Sequence, residues 1–236
     1  MSKVLRPPVG APAPSPTGRS GVVAGLVRTG RPKQWAKNVL VFAAPGAAGV
    51  LGHGVALGRT FATFALFCAL ASGVYMLNDA VDAESDRHHP RKRHRPVAAG
   101  VVSRRLAFTV GAALVAAAMA ASAVLGWKLL VVVASYLAVQ VAYSLRLKHE
   151  PIFDLAAVAT GFVLRAIAGG VATRVPISEW FLIVAMFGSL MMVTGKRFAE
   201  HQQLGDDRGR HRATLDIYSE AFLRGLLLVS VAVAIT

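Results

Sequence analysis

Seven apolar stretches, near residues 39–57, 60–80, 106–126, 128–145, 153–172, 179–195 and 219–236, decide which solvent this 236-residue chain folds in. Each is close to the roughly 17–25 residues that carry a helix across a bilayer. A soluble domain of this size has too little polar surface to cover so many. Hydrophobic residues make up 55% of the chain before its 22 glycines are counted, against roughly 45–50% with glycine included in ordinary globular chains. The expectation is an all-α, polytopic transmembrane helix bundle of seven spans. Its richness in Ala, Gly and Val favours close helix–helix packing, and Trp127 and Trp180 fall at span ends, where interfacial aromatics belong.

The net charge of +14 first suggests a nucleic-acid partner, but its distribution answers otherwise. Of 26 Lys and Arg, 21 fall in segments 1–38, 81–105, 146–152 and 196–218, and only Arg59, Lys128 and Arg174 in the alternate loops. That asymmetry places the N-terminus and the two long loops in the cytoplasm of a cell-membrane protein, and accounts for the charge without nucleic acid. Residues 1–24, which hold Pro7, Pro8, Pro12, Pro14 and Pro16 and no signal-peptide core, read as a disordered cytoplasmic tail ahead of a membrane domain over 25–236. The sequence stops in Val-Ala-Ile-Thr within an apolar run, so either the last helix ends flush with the far face or the natural chain continues. Cys68 is alone, which excludes an internal disulfide and reads as a small packed hydrophobe.

The most informative segment runs from Asn78 to Pro96. Asp79, Asp82 and Asp86 are spaced i, i+3, i+7 and share one helix face. Three carboxylates there repel unless a cation sits among them. Oxygen-only ligands favour Mg²⁺, which takes its remaining ligands from water and substrate phosphates. The alternative is a polar helix end whose acids pair with the arginines that follow. Position at the close of a span favours function, since ionisable groups are expensive there. The following loop carries Arg87, Arg91, Lys92, Arg93 and Arg95. Carboxylates for Mg²⁺ beside cations for phosphate make a diphosphate site. His88, His89 and His94 match no common zinc spacing, and Pro90 interrupts any helix there. Gly195-Lys196 is not a P-loop, because position 197 is Arg and position 190 is Leu.

The Asn78, Asp79, Asp82, Asp86 pattern resembles the first motif of the UbiA superfamily of intramembrane prenyltransferases, Asn-Asp-x-x-Asp-x-x-x-Asp. Five further segments are similar to the branch that transfers phosphoribose to decaprenyl phosphate in actinobacteria: Arg31-Pro-Lys-Gln34-Trp35-Ala-Lys37-Asn38, His89-Pro-Arg-Lys-Arg-His-Arg-Pro, Tyr143-Ser-Leu-Arg-Leu-Lys148-His, Arg165-Ala-Ile-Ala-Gly169-Gly170-Val-Ala-Thr and Lys196-Arg197-Phe-Ala-Glu200. The superfamily usually has nine helices, two more than are read here. Its ordinary members hold a prenyl diphosphate by Mg²⁺ between two aspartate-rich motifs. Where the second would be expected this sequence has Lys196, Arg197 and Glu200.

The resemblance implies a donor with a diphosphate at one end and a phosphate at the other, phosphoribosyl diphosphate (PRPP), and a polyprenyl phosphate acceptor. The product would be decaprenylphosphoryl-5-phosphoribose, a precursor of cell-wall arabinan. Asp79, Asp82 and Asp86 would hold the metal. Asn78, Arg91, Lys92 and Arg95 would bind substrate around it. Arg165, deep in a span, is either a phosphate ligand or one half of an ion pair. Lys196 and Arg197, closing span six, Lys148, and Lys37 with Asn38 at the N-terminus of span one are further phosphate candidates, with Glu200 beside them. Tyr143 is either an interfacial anchor or a hydroxyl to substrate, and Gly169 and Gly170 serve helix packing. Two other functions compete: prenyl transfer to an aromatic or haem acceptor, which the cations at 196 and 197 disfavour, and a transporter, whose path would carry polar groups across most of the membrane depth. A homo-oligomer stays open.

Overall fold

The computed structural model describes residues 19–204 and 217–235. Among them there is no strand. The elements are α1 (Arg19–Thr29), a 3₁₀ stretch (Pro32–Phe42), α2 (Ala43–Ala47), a 3₁₀ turn (Val50–Gly52), α3 (Gly54–Val81), α4 (Ala83–His88), a 3₁₀ turn (Lys92–His94), α5 (Arg104–Leu125), α6 (Trp127–Leu145), a 3₁₀ turn (Leu147–His149), α7 (Phe153–Thr173), α8 (Glu179–Leu204) and α9 (Glu220–Ile235). Serines open three of the long helices. Ser103, Ser178 and Ser219 accept the backbone N–H of Leu106, Phe181 and Phe222, which would otherwise lack partners. Gly126, at φ +148, makes the tight α5–α6 turn in a conformation closed to side chains.

Among the described residues five helices, α3, α5, α6, α7 and α8, are long and apolar enough to cross a bilayer. More than half of the apolar windows of α3 and α7 are buried, against under a quarter for α5, α6 and α8. The bundle is therefore built on a central pair, with the others leaving most of their surface uncovered among the described residues. Phe67 and Leu70 of α3, Leu129, Val133 and Tyr136 of α6 and Ala168 of α7 form the main core. Close approach depends on glycine. At the α3–α5 crossing, a Cβ on Gly73 would lie 2.7 Å from the Gly111 carbonyl oxygen, and one on Gly111 2.9 Å from that of Gly73.

The expected seven spans need two corrections. The first, 39–57, is not a membrane helix: Pro45 and glycines 46, 49, 52 and 54 divide it, and Gly49 turns at φ +68. In its place the 3₁₀ stretch lies along α3. Trp35 Nε1 donates to Ser72 Oγ at 3.0 Å and Asn38 Nδ2 to Cys68 Sγ at 3.3 Å. Three 3₁₀ residues and four α residues both advance about 6 Å, so the two antiparallel segments stay in step. The seventh span is α9, 16 residues among those described. In addition, α1 starts at Arg19, inside the stretch expected to be an irregular tail, while residues 1–18 lie outside the described residues.

Candidate active site

The acid motif sits at the end of α3, and its backbone stays nearly helical into α4. Asp82 N donates to the Asn78 carbonyl and Asp86 N to the Asp82 carbonyl. Asn78, Asp82 and Asp86 thus follow one another on successive turns. Two of the three acids are already taken. Asp79, buried, accepts Arg31 Nη2 at 2.6 Å and Arg95 Nη1 at 3.2 Å. The same Arg95 nitrogen reaches Asp86 Oδ2 at 2.7 Å, with Lys92 Nζ 3.8 Å from the other oxygen. Asp82 is half-buried, caps α3, and makes no side-chain hydrogen bond or ion pair among the described residues. Asn78 Oδ1 accepts from Ser144 Oγ of α6 at 3.2 Å. Arg91 is exposed, and its side chain makes no such contact among the described residues. His89 serves the loop rather than a metal, its Nδ1 facing the backbone N–H groups of Arg91 and Lys92.

Among the described residues no three His, Cys, Asp or Glu converge on one point, so the acids do not form a preassembled cage. The donor set nevertheless fits Mg²⁺, which commonly uses one or two carboxylates and fills its shell with water and substrate phosphate. Asp82 supplies an uncommitted carboxylate, with Asn78 and Asp86 one turn to either side.

A second charged group lies between α7, α8 and the 3₁₀ stretch. Arg165 is 6% exposed. Its Nε donates to Asn38 Oδ1 at 2.7 Å, Nη1 to the Gly161 carbonyl at 2.6 Å and Nη2 to Tyr136 Oη at 2.7 Å, and its guanidinium lies 4.7 Å from the Tyr136 ring centroid. All these partners are neutral, and of the two readings of Arg165 the ion pair is not made among the described residues. Gly169 explains how Asn38 gets there. A Cβ at Gly169 would collide with the Val41 carbonyl, so only glycine lets the 3₁₀ stretch settle on α7. Lys37 and Asn38 consequently lie within that stretch, not at a helix N-terminus as expected.

Arg197 is also buried, but it is paired. Its Nε donates to Asp154 Oδ2 at 3.1 Å and its Nη1 to Glu200 Oε2 at 3.0 Å. Tyr143 Oη donates to Asp154 Oδ1 at 3.0 Å. Lys196, largely exposed, reaches Glu200 at 3.7 Å. Helix α8 does not close at these residues but runs on to Leu204. Lys37, ahead of the spans, keeps solvent contact; burial on its other sides and then the charges of Lys196, Arg165 and Arg197 hold its ammonium pKa below the ordinary lysine value. Four cations from three elements therefore share one region. Lys148 lies in the 3₁₀ turn after α6, partly exposed. Of the long basic loop 196–218, residues 205–216 lie outside the described residues.

The structure adds Arg31, Asp154 and Tyr136 to the expected residues. Asp154 had a legible signal, an acid in the first turn of an apolar span, like Asp79 at the end of one. Tyr136 had none, being one aromatic among the apolar residues of α6.

The model of the UbiA prenyltransferase family matches residues 39–236. A decaprenyl-phosphate phosphoribosyltransferase of Mycolicibacterium smegmatis is 43% identical over 230 residues, 95% of this chain and 70% of that protein. One of Mycobacterium tuberculosis is 45% identical over 211 residues, 87% of this chain and 69% of its own length. Among solved structures, a UbiA homolog from Archaeoglobus fulgidus bound to GPP and Mg²⁺ superposes with a TM-score of 0.70 at 20% identity, covering 89% of this chain and 76% of that one.

Proposed function

The chain belongs to the UbiA prenyltransferase family, and from that premise we propose that it transfers 5-phosphoribose from PRPP to decaprenyl phosphate, releasing diphosphate and forming a precursor of cell-wall arabinan. It is a multi-pass membrane protein. In this reading it lies in the plasma membrane with the acid motif and the basic loop cytoplasmic, and the catalytic domain comprises the chain from about residue 25 onward.

The observation that carries the reading is the basic pole. Arg165 is a guanidinium held by neutral groups, in the company of Lys37, Lys196 and Arg197. A buried cation without a carboxylate is expensive unless an anion joins it. A substrate with phosphate at both ends supplies one anion to this pole and one to the acid motif. Prenyl transfer to an aromatic or haem acceptor would instead call for carboxylates where Lys196 and Arg197 stand.

In the transfer, the bond from C1 of the ribose to the diphosphate oxygen breaks and a bond from C1 to an oxygen of the lipid phosphate forms. The nucleophile is anionic at neutral pH, so the site needs no strong general base. Lys37, Arg165 and Lys196 hold the 5-phosphate and fix the ribose, while Arg31, Lys92 and Arg95, released from Asp79 and Asp86 as phosphate arrives, face the leaving diphosphate. Mg²⁺ bound at Asp82, with Asp79 and Asp86 nearby, would neutralise charge on that leaving group. Catalysis then rests on positioning and charge placement. Asp154 and Tyr143 act at one remove, by aiming Arg197.

The test is a detergent-solubilised assay with radiolabelled PRPP, decaprenyl phosphate and Mg²⁺, following label into the organic phase. Label that enters lipid, and fails to do so with EDTA or in Asp82→Ala, supports both the transfer and the metal. No label from folded protein, with activity on a labelled prenyl diphosphate instead, would overturn the reading.

A further inference from the structure

We propose that the end of the bundle opposite the acid motif carries a second anion site, one that takes the phosphate headgroup of an anionic phospholipid. A cavity of about 530 Å³ opens there, and Arg59, Lys128 and Arg174 all line it, with Trp127, Leu129 and Val175 among its walls. These three are the cations the sequence sets apart from the other loops, and they arrive from three different connections: Arg59 from the first turns of α3, Lys128 from the start of α6, Arg174 from the end of α7. None makes an ion pair among the described residues, and no carboxylate lines the cavity. Three cations brought from separate connections to one cavity, with no carboxylate in its lining, present an anion with several donors at once.

Capping of the α7 carbonyls accounts for only one of them. Arg59 Nη1 donates to the Ala172 carbonyl at 3.1 Å, leaving its other N–H groups free for a ligand. Lys128 lies over the Trp127 ring, 5.9 Å from its centroid, and makes no hydrogen bond among the described residues. Arg174 is held in the left-handed region, at φ 59 and ψ 29, as the residue that ends α7. A lipid suits the cavity better than a free ion. Trp127 is 70% exposed at a span end, the depth of lipid headgroups, and the wall of Leu129 and Val175 is apolar, as a glycerol and acyl stem requires.

Trp127 makes the test local. The full chain is placed in nanodiscs containing either phosphatidylglycerol or phosphatidylcholine with a quencher near the headgroup, and the Trp127 emission is isolated by difference from Trp127→Phe. Phosphatidylglycerol should quench Trp127 preferentially. Lys128→Gln with Arg174→Asn, the latter compatible with the left-handed backbone, should weaken that preference roughly fivefold per cation removed, with phosphoribosyl transfer unchanged. If the pair does not fold, Lys128→Gln alone breaks no hydrogen bond seen among the described residues and should still give the single fivefold step. Equal quenching by both lipids, an unchanged preference in the variants, or relief of quenching by inorganic phosphate would each overturn the proposal.

Discussion

The two charged regions of this bundle handle the same problem in opposite ways. At the end of α3 charge is cancelled locally, with Arg31, Lys92 and Arg95 occupying Asp79 and Asp86. Between α7 and the 3₁₀ stretch, Arg165 is oriented by Asn38, Tyr136 and the Gly161 carbonyl, none of which cancels its charge. In the first region only Asp82 is uncommitted, and Asp79 and Asp86 have to exchange partners before they bind anything. In the second, Arg165 is already oriented and makes no ion pair among the described residues. Under the proposed function, the paired charges would be released as substrate arrives, and the oriented, unpaired one would meet its anion without rearrangement.

Breaking that comparison is most direct at Asp82. Because the carboxylate is uncommitted, Asp82→Ala should lower transfer roughly a thousandfold, the several kcal/mol a bound metal contributes, with no change in melting temperature. Asp79→Ala should lower both, since it takes from Arg31 its carboxylate and from Arg95 one of two. Equal melting temperatures for the two variants would contradict the division between them.

Next in size is the contrast between the two buried arginines. Arg197→Met breaks the buried pair with Asp154 and should destabilise the protein by about 3–5 kcal/mol, with partial recovery in the double variant Arg197→Met, Asp154→Leu. Arg165→Met strands only neutral hydrogen-bonding groups and should cost about 1–3 kcal/mol. Denaturation followed by tryptophan fluorescence reads both, and the reverse order would show Arg165 to be structural.

Activity should rank them the other way. Arg165→Lys keeps the charge but not the three-way fork, and should reduce kcat/KM for PRPP about a hundredfold, the scale of losing one preorganised donor. The smallest effect belongs to pH. Lys37 has a lowered pKa, and a phosphate prefers its charged form. Affinity for PRPP should therefore be full below that pKa and fall as pH rises through it, by at most about tenfold per pH unit. The fall should begin below the roughly 10.4 of an ordinary lysine. In Lys37→Arg the inflection should vanish from a KM profile over alkaline pH.

Much of the fold was legible in one dimension, because a bilayer imposes a length and an apolar composition that can be read without knowing any neighbour. The exception is instructive. Residues 39–57 are apolar enough for a span, but Pro45 and four glycines deny them a continuous helix, and hydropathy does not register that. In the site, Asp79, Asp82, Asp86, Arg165, Lys196 and Arg197 were visible because ionisable groups are rare at membrane depth. Their partners were not. Asn38 and Arg165 lie 127 positions apart and Arg197 and Asp154 43, separations at which no local pattern is expressed.

The sequence by itself therefore determined the solvent, the helical class and the concentration of charge in alternate loops, all of them properties of residues taken singly or at helical spacing; that cations stand where a second acidic motif is expected came from the family resemblance. Only the tertiary structure decided which charges are cancelled and which are kept open. That depends on backbone approach: Gly169 admits the Val41 carbonyl, the 3₁₀ stretch settles on α7, and Asn38 is delivered to Arg165. Contacts of that kind are fixed by three-dimensional packing, where an ångström separates a hydrogen bond from a collision.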